Sequence, residues 1–157
     1  MSRPISRIPT AVAALALLLS CAGLHARTFY LAPGGDAAAR AEHGAVFATL
    51  RTAVHSLWPG DTLVIRDGFY RGGVALRRGC PPDKPIVIRG ESRYAIITGS
   101  GEARDGLSLN DCSNVILDGV NVTRAERGGI VVSHSRDIVV RNCTAYNNGK
   151  WGIFTDH

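Results

Sequence analysis

Six polar positions in this 157-residue chain recur at a fixed step. Asn110, Ser133 and Asp156 follow one another at a step of 23, and Asp111, His134 and His157 come one position after each. An imidazole beside a carboxylate can pass a proton or hold a cation. The set therefore reads as the edge of a groove, with Asn110 and Asp111 as binding groups. His134 or His157 would serve as acid or base, or as a ligand beside Asp156. The same residue types also serve as turn residues that hydrogen-bond backbone at a corner. A second pair, Lys150-Trp151, follows the turn Tyr146-Asn147-Asn148-Gly149. Lys150 can act as a base and Trp151 as a platform on which a ring stacks. The competing reading is a solvated lysine and a tryptophan that closes a corner.

The step of 23 runs through longer segments, and these must position the polar residues. Gly106-Leu107-Ser108-Leu109 repeats as Gly129-Ile130-Val131-Val132 and again as Gly152-Ile153-Phe154-Thr155. Val115-Ile116-Leu117 repeats as Ile138-Val139-Val140. Leu63-Val64-Ile65 and Ile86-Val87-Ile88 are also 23 apart, whereas Val115 follows Ile86 by 29, so that coil holds about six extra residues. Short β-prone runs separated by Gly, Asn, Asp and Ser read as strands. No helix-length segment lies between them, which excludes a βαβ sheet. Three strands per repeat fit one coil of a parallel β-helix, each strand pairing one coil up at roughly 4.8 Å. Leu107, Ile130 and Ile153 then stack as one apolar column. Val115 over Ile138, Leu117 over Val140, Val120 over Cys143 and Val122 over Ala145 form others. The fold class is all-β: a right-handed, single-stranded parallel β-helix with about 23 residues per coil.

An N-terminal capping helix precedes the coils. Thr49 can cap a helix that runs to about Trp58, where Pro59-Gly60-Asp61 stops it. Phe47, Leu50, Val54, Leu57 and Trp58 give it one apolar face, which would close the open end of the stack. Thr28–Leu31 reads as a first strand. The cap spans 27–60 and the coils 61–157.

Residues 1–26 read as a signal peptide, with Arg3 and Arg7 before an apolar run from Ile8 to Leu19. That run is too short to span a bilayer. Two processing routes stand side by side. Leu24-His25-Ala26 offers a small residue at the cut and frees Arg27. Leu18-Leu19-Ser20-Cys21 is similar to a lipoprotein signal, with Cys21 as a lipid anchor. The chain is thus expected to be exported, periplasmic or secreted, with no integral membrane segment after removal of the signal. From Arg27 onward, 16 Lys+Arg (18 less Arg3 and Arg7) face 13 Asp+Glu. This mild excess suits an anionic partner, and the scattered cations do not make a nucleic-acid stripe. Cys80, Cys112 and Cys143 form no CxxC and no zinc spacing with histidine. Cys112 and Cys143 read as small packing residues.

The stretches Thr28–Asp36, Phe47-Ala48-Thr49-Leu50 and Pro59-Gly60-Asp61-Thr62-Leu63, followed by the coils from Gly106, resemble the pectin-lyase-like superfamily of right-handed parallel β-helix proteins. The resemblance covers residues 28–157. It implies a polysaccharide partner and an activity such as a lyase on anionic, uronate-containing glycans, ahead of a glycoside hydrolase or a uronate epimerase. Lyases of this kind use Ca²⁺ on clustered carboxylates with Lys or Arg as base. The cation stabilises the charge that develops when the proton α to the uronate carboxylate leaves. Hydrolases of the fold need several converging aspartates. No repeat of this chain holds either set complete.

The chain stops at His157, six residues into a coil, so a C-terminally truncated stack is expected. Two readings of function follow from the residues: a lyase-type enzyme on anionic glycans, and a non-catalytic β-helix that binds polysaccharide or a surface. An inactive piece of a longer enzyme is a variant of the second.

Overall fold

The computed structural model describes residues 26–35, 45–99 and 104–156. The expected signal segment through His25, Cys21 within it, and His157 lie outside the described residues. Among the described residues, fourteen strands and one α-helix follow in order: β1 (Thr28–Leu31), β2 (Val46–Phe47), α1 (Leu50–His55), β3 (Thr62–Ile65), β4 (Gly68–Arg71), β5 (Val74–Leu76), β6 (Ile86–Gly90), β7 (Ala95–Thr98), β8 (Asp105–Asn110), β9 (Ser113–Asp118), β10 (Asn121–Thr123), β11 (Gly128–Ser133), β12 (Arg136–Arg141), β13 (Thr144–Tyr146) and β14 (Trp151–Asp156). They form three parallel sheets. Sheet A runs β12-β9-β6-β3-β1-β2, sheet B β13-β10-β7-β4 and sheet C β14-β11-β8-β5. Each coil contributes one strand to each sheet, which is the parallel β-helix expected from the repeat. Parallel crossovers of this kind wind right-handed.

Register bears out the apolar columns. Ile130 pairs with Leu107 and Ile153, Val115 with Ile138, and Val122 with Ala145. The step of 29 from Ile86 to Val115 is observed. It falls to 25 from Ile96 to Asn121 and to 23 from Leu107 to Ile130, so the extra residues sit in the two turns flanking β7. One expectation is corrected. Leu63 pairs with Ile88, not Ile86, so the step from β3 to β6 is 25. A shift of two preserves side-chain parity, so both strands still send their Leu and Ile into the core.

Helix α1 begins where Thr49 caps it, the hydroxyl accepting from the Thr52 amide. It ends at His55, one turn short of Trp58, because Ser56 already closes on Thr52 and Ala53. Leu50, Ala53, Val54 and Leu57 are buried in the core that runs through the coils. Trp58 is not on that face. It stays 51% exposed, with the Arg78 guanidinium 4.6 Å from its ring centre. The lid is anchored below by Asp61, which is only 2% exposed. Its carboxylate accepts from the Arg27 amide, Nε and Nη2 and from the Trp58 amide. Burial pushes this carboxyl up, but these bonds outweigh it and hold the group below its ordinary range. Tyr70 closes coil one from inside. Its hydroxyl lies within reach of the Leu31 and Arg66 carbonyls, and burial pushes the phenol up to about 12.

The corners repeat as strictly as the strands. Positive φ recurs at the same step of 23, at Asp111 (53°) and His134 (48°), Asn114 and Asp137 (both 54°), Gly119 (66°) and Asn142 (54°), and Arg124 (58°) and Asn147 (53°). Asn, Asp, His and Gly dominate because they tolerate the left-handed region best.

The glycines that open each repeat have a different cause. A Cβ on Gly106 would come within 2.8 Å of the Gly129 carbonyl oxygen, and one on Gly129 within 2.7 Å of that of Gly152. Gly129→Ala is therefore expected to cost about 2–3 kcal/mol. An unchanged urea midpoint would contradict the close approach.

Cys80 and Cys112 are buried, Cys143 is half-buried against the core, and all three are free thiols. Burial pushes each thiol up, which suits packing rather than nucleophilic roles. Among the described residues no helix is long and apolar enough to cross a membrane.

Candidate functional site

The outer face of sheet C carries most of the chemistry. Side-chain alternation breaks at Gly129-Ile130, with no residue inserted, since the pairing stays at a step of 23 on either side. Both residues point inward, so Gly128 and Val131 share the outer face, the space beside Gly128 being filled by Val131 Cγ2 and the Trp151 ring. Gly128 pairs with Trp151 and Val131 with Phe154. Trp151 therefore faces out with Phe154, and their rings stack at 4.4 Å with 20° between planes. Arg127 lies 5.8 Å and the Lys150 ammonium 6.0 Å from the Trp151 ring centre. Such distances allow cation–π attraction.

A cationic column runs beside this platform. The Arg127 amide donates to the Arg104 carbonyl, and the Lys150 amide to the Arg127 carbonyl. Arg104, Arg127 and Lys150 are thus stacked, one per coil, at roughly 4.8 Å. Three of the cations that look scattered in the sequence are brought together here by the fold. Asp105 holds Arg127 through Nε at 2.9 Å and Nη2 at 2.5 Å, and also accepts from the Gly128 amide. That hydrogen bond raises the Arg127 pKa and fixes its charge. Arg104 and Lys150 have no side-chain ion partner among the described residues. Sheet A shows the contrast. Its outer column alternates Arg89, Asp118 and Arg141, and Asn142 and Arg141 hold the Asp118 carboxyl below its ordinary range. Like charges stacked without compensation destabilise a sheet. At the sheet C corner Asp105 compensates Arg127 alone, and the charges of Arg104 and Lys150 are left to attract an anion from outside.

The polar columns expected from the repeat are present. Ser133 pairs with Asn110 on one side and Asp156 on the other. Asp111 and His134 follow them, their amides donating to the Ser133 and Asp156 carbonyls. Their left-handed backbone explains the residue types there without any chemistry. The two side chains line an open depression of about 510 Å³ with Gly79, Cys112, Ser113, Ser135 and Arg136.

The sequence candidates therefore fall into two groups. Lys150 and Trp151 sit at the start of β14. Asp156, with Asn110, Asp111 and His134, sits at the far end of the same face, roughly 16 Å away along the strand. Lys150 and His134 do not converge on one atom, as an acid–base pair must. Among the described residues no three of His, Cys, Asp and Glu group to hold a metal. Asp105 is already bound by Arg127, so the carboxylates do not fit the Ca²⁺ set that the resemblance implies. Arg104, Arg127 and Phe154 are not among the sequence candidates. The three cations do stand 23 apart, and that signal is readable in the sequence.

The fold is that of a right-handed parallel β-helix protein. Residues 85–157 match the family described as right handed beta helix region. No curated protein matches the chain. Among solved structures, an alginate lyase from Paenibacillus sp. str. FPU-7 is similar at 21% identity and a TM-score of 0.49, over 64% of this chain and 42% of that one. The chain spans less than half the length of that enzyme.

Proposed function

We propose that the chain is exported and that the outer face of sheet C binds anionic, uronate-containing polysaccharide. One observation carries this reading: the Arg104-Arg127-Lys150 column, in which Asp105 pairs Arg127 while Arg104 and Lys150 have no ion partner among the described residues, beside the stacked Trp151 and Phe154 rings. A linked uronate chain presents a carboxylate on each unit and a flat apolar ring face. Cations spaced by one coil suit the first, and aromatic rings suit the second. Asn110, Ser133 and Asp156 extend the face with hydrogen-bonding groups. The acid–base candidates lie apart, so the geometry supports binding better than proton abstraction.

Titration calorimetry with polygalacturonate or alginate tests the reading. Binding is expected at low salt and is expected to weaken as salt rises. Arg104→Ala with Lys150→Ala should lose about 10-fold in affinity, roughly the worth of two exposed charge contacts. Equal binding of a neutral glycan would sink the reading. Unsaturated product in the same samples would move the face from binding to lyase chemistry.

A further inference from the structure

We infer that cutting the chain between Ala26 and Arg27 creates an α-ammonium that locks the first coil by pairing with the Asp61 carboxylate. This rests on the export reading for the cut alone and is independent of what sheet C binds.

The geometry is already in place. The Arg27 backbone nitrogen lies 3.1 Å from Asp61 Oδ1. Arg27 Nε and Nη2 reach the same carboxylate at 3.2 and 2.7 Å. The Trp58 amide takes the remaining place on Oδ2 at 2.9 Å. The Arg27 carbonyl in turn accepts from the Thr62 amide at 2.8 Å, which starts the β1–β3 pairing. Residue 27 is thus held by both its backbone groups and its side chain. Leu24-His25-Ala26 places a small residue immediately before it, as a leader peptidase needs.

Hydrolysis of the Ala26–Arg27 amide adds one water. Its oxygen goes to the Ala26 carboxylate, and its two hydrogens convert the Arg27 N–H into an ammonium. The nitrogen stays where it is and gains a full charge beside a carboxylate that is 2% exposed. Processing would then do more than remove a leader: it would fasten the strand on which sheet A is built. The charged groups facing the new terminus are Asp61 and the Arg27 guanidinium. Lys84 lies across Gly60 from Ala26, on the loop that also carries Asp83.

The test has two arms. Intact mass of the exported protein reads the cut. A terminus at Arg27 supports the proposal, and a lipidated Cys21 or any other terminus overturns it. The second arm compares the chain starting at Arg27 with the same chain acetylated at that nitrogen. Acetylation keeps one N–H donor, as in the uncut chain, and removes the charge with the other two hydrogens. The free-amine chain should melt at least about 4 °C higher at pH 6. Asp61 raises the ammonium pKa above the unfolded value of about 7.7–8.0. The gap is therefore full below that value and closes as pH rises through the folded one. Asp61→Asn should abolish the gap. If that variant fails to fold, the acetylated pair still decides. Equal melting of the free and acetylated chains at pH 6 would overturn the lock even where the cut is confirmed.

Discussion

Leu117→Ala is expected to lower the unfolding free energy by about 3–4 kcal/mol, the largest loss foreseen for a single truncation. Leu117 is 0% exposed and lies between Ile88 and Val140 in one inner column. Coils press on it from both sides, so the methyl groups removed leave a cavity that the strands cannot close. Ile153→Ala removes comparable apolar mass from the last described coil, where the side chain is 47% exposed. Its cost should be nearer about 1 kcal/mol, since a half-solvated side chain loses less on truncation. Urea unfolding of the two variants separates these values. Equal losses would contradict the view that each coil is held by its neighbours.

Trp151→Ala is expected to weaken binding of uronate polysaccharide about 10-fold, or roughly 1.4 kcal/mol. The ring supplies a flat apolar face stacked on Phe154, with the Arg127 and Lys150 cations 5.8 and 6.0 Å from its centre. Removing it takes away the platform and leaves the cationic column. Affinity should fall, while the salt dependence set by Arg104, Arg127 and Lys150 should persist. Trp58→Ala serves as the matched control. Trp58 is more exposed than Trp151, yet it belongs to the cap and is covered on one side by Arg78. Its loss should leave affinity unchanged. Equal losses from the two substitutions would mean that the protein binds through nonspecific aromatic exposure.

The fold is legible in the sequence because the last three coils keep an unbroken step of 23 and because columns of Leu, Ile and Val have one physical use. Legibility fails where the period changes. Between β3 and β6 an apolar run of even parity matches equally well two positions out of register, and only the backbone pairing of Leu63 with Ile88 resolves it. Apolar spacing overextends the helix because Trp58 falls on the right step, whereas Ser56 ends the helix through backbone bonds that spacing does not encode. The candidate site is legible in part. The columns through Asn110 and Asp111 lie where the repeat puts them. Strict alternation would have turned Trp151 inward with Ile153, and the break in alternation at Gly129-Ile130, which Gly152-Ile153 repeats, is what turns it out. The cationic column keeps the same step of 23, but its members sit in turns, outside the apolar segments from which the repeat is read.

The most direct measurement is the fluorescence of Trp151 in a Trp58→Phe background, followed while uronate oligosaccharide is added at low salt. With Trp58 gone, Trp151 is the sole tryptophan of the chain. A saturable change that shifts to higher concentration with salt, and that neutral oligosaccharides do not produce, is the expected result. No change with any uronate, or an equal change with neutral sugars, would contradict the account.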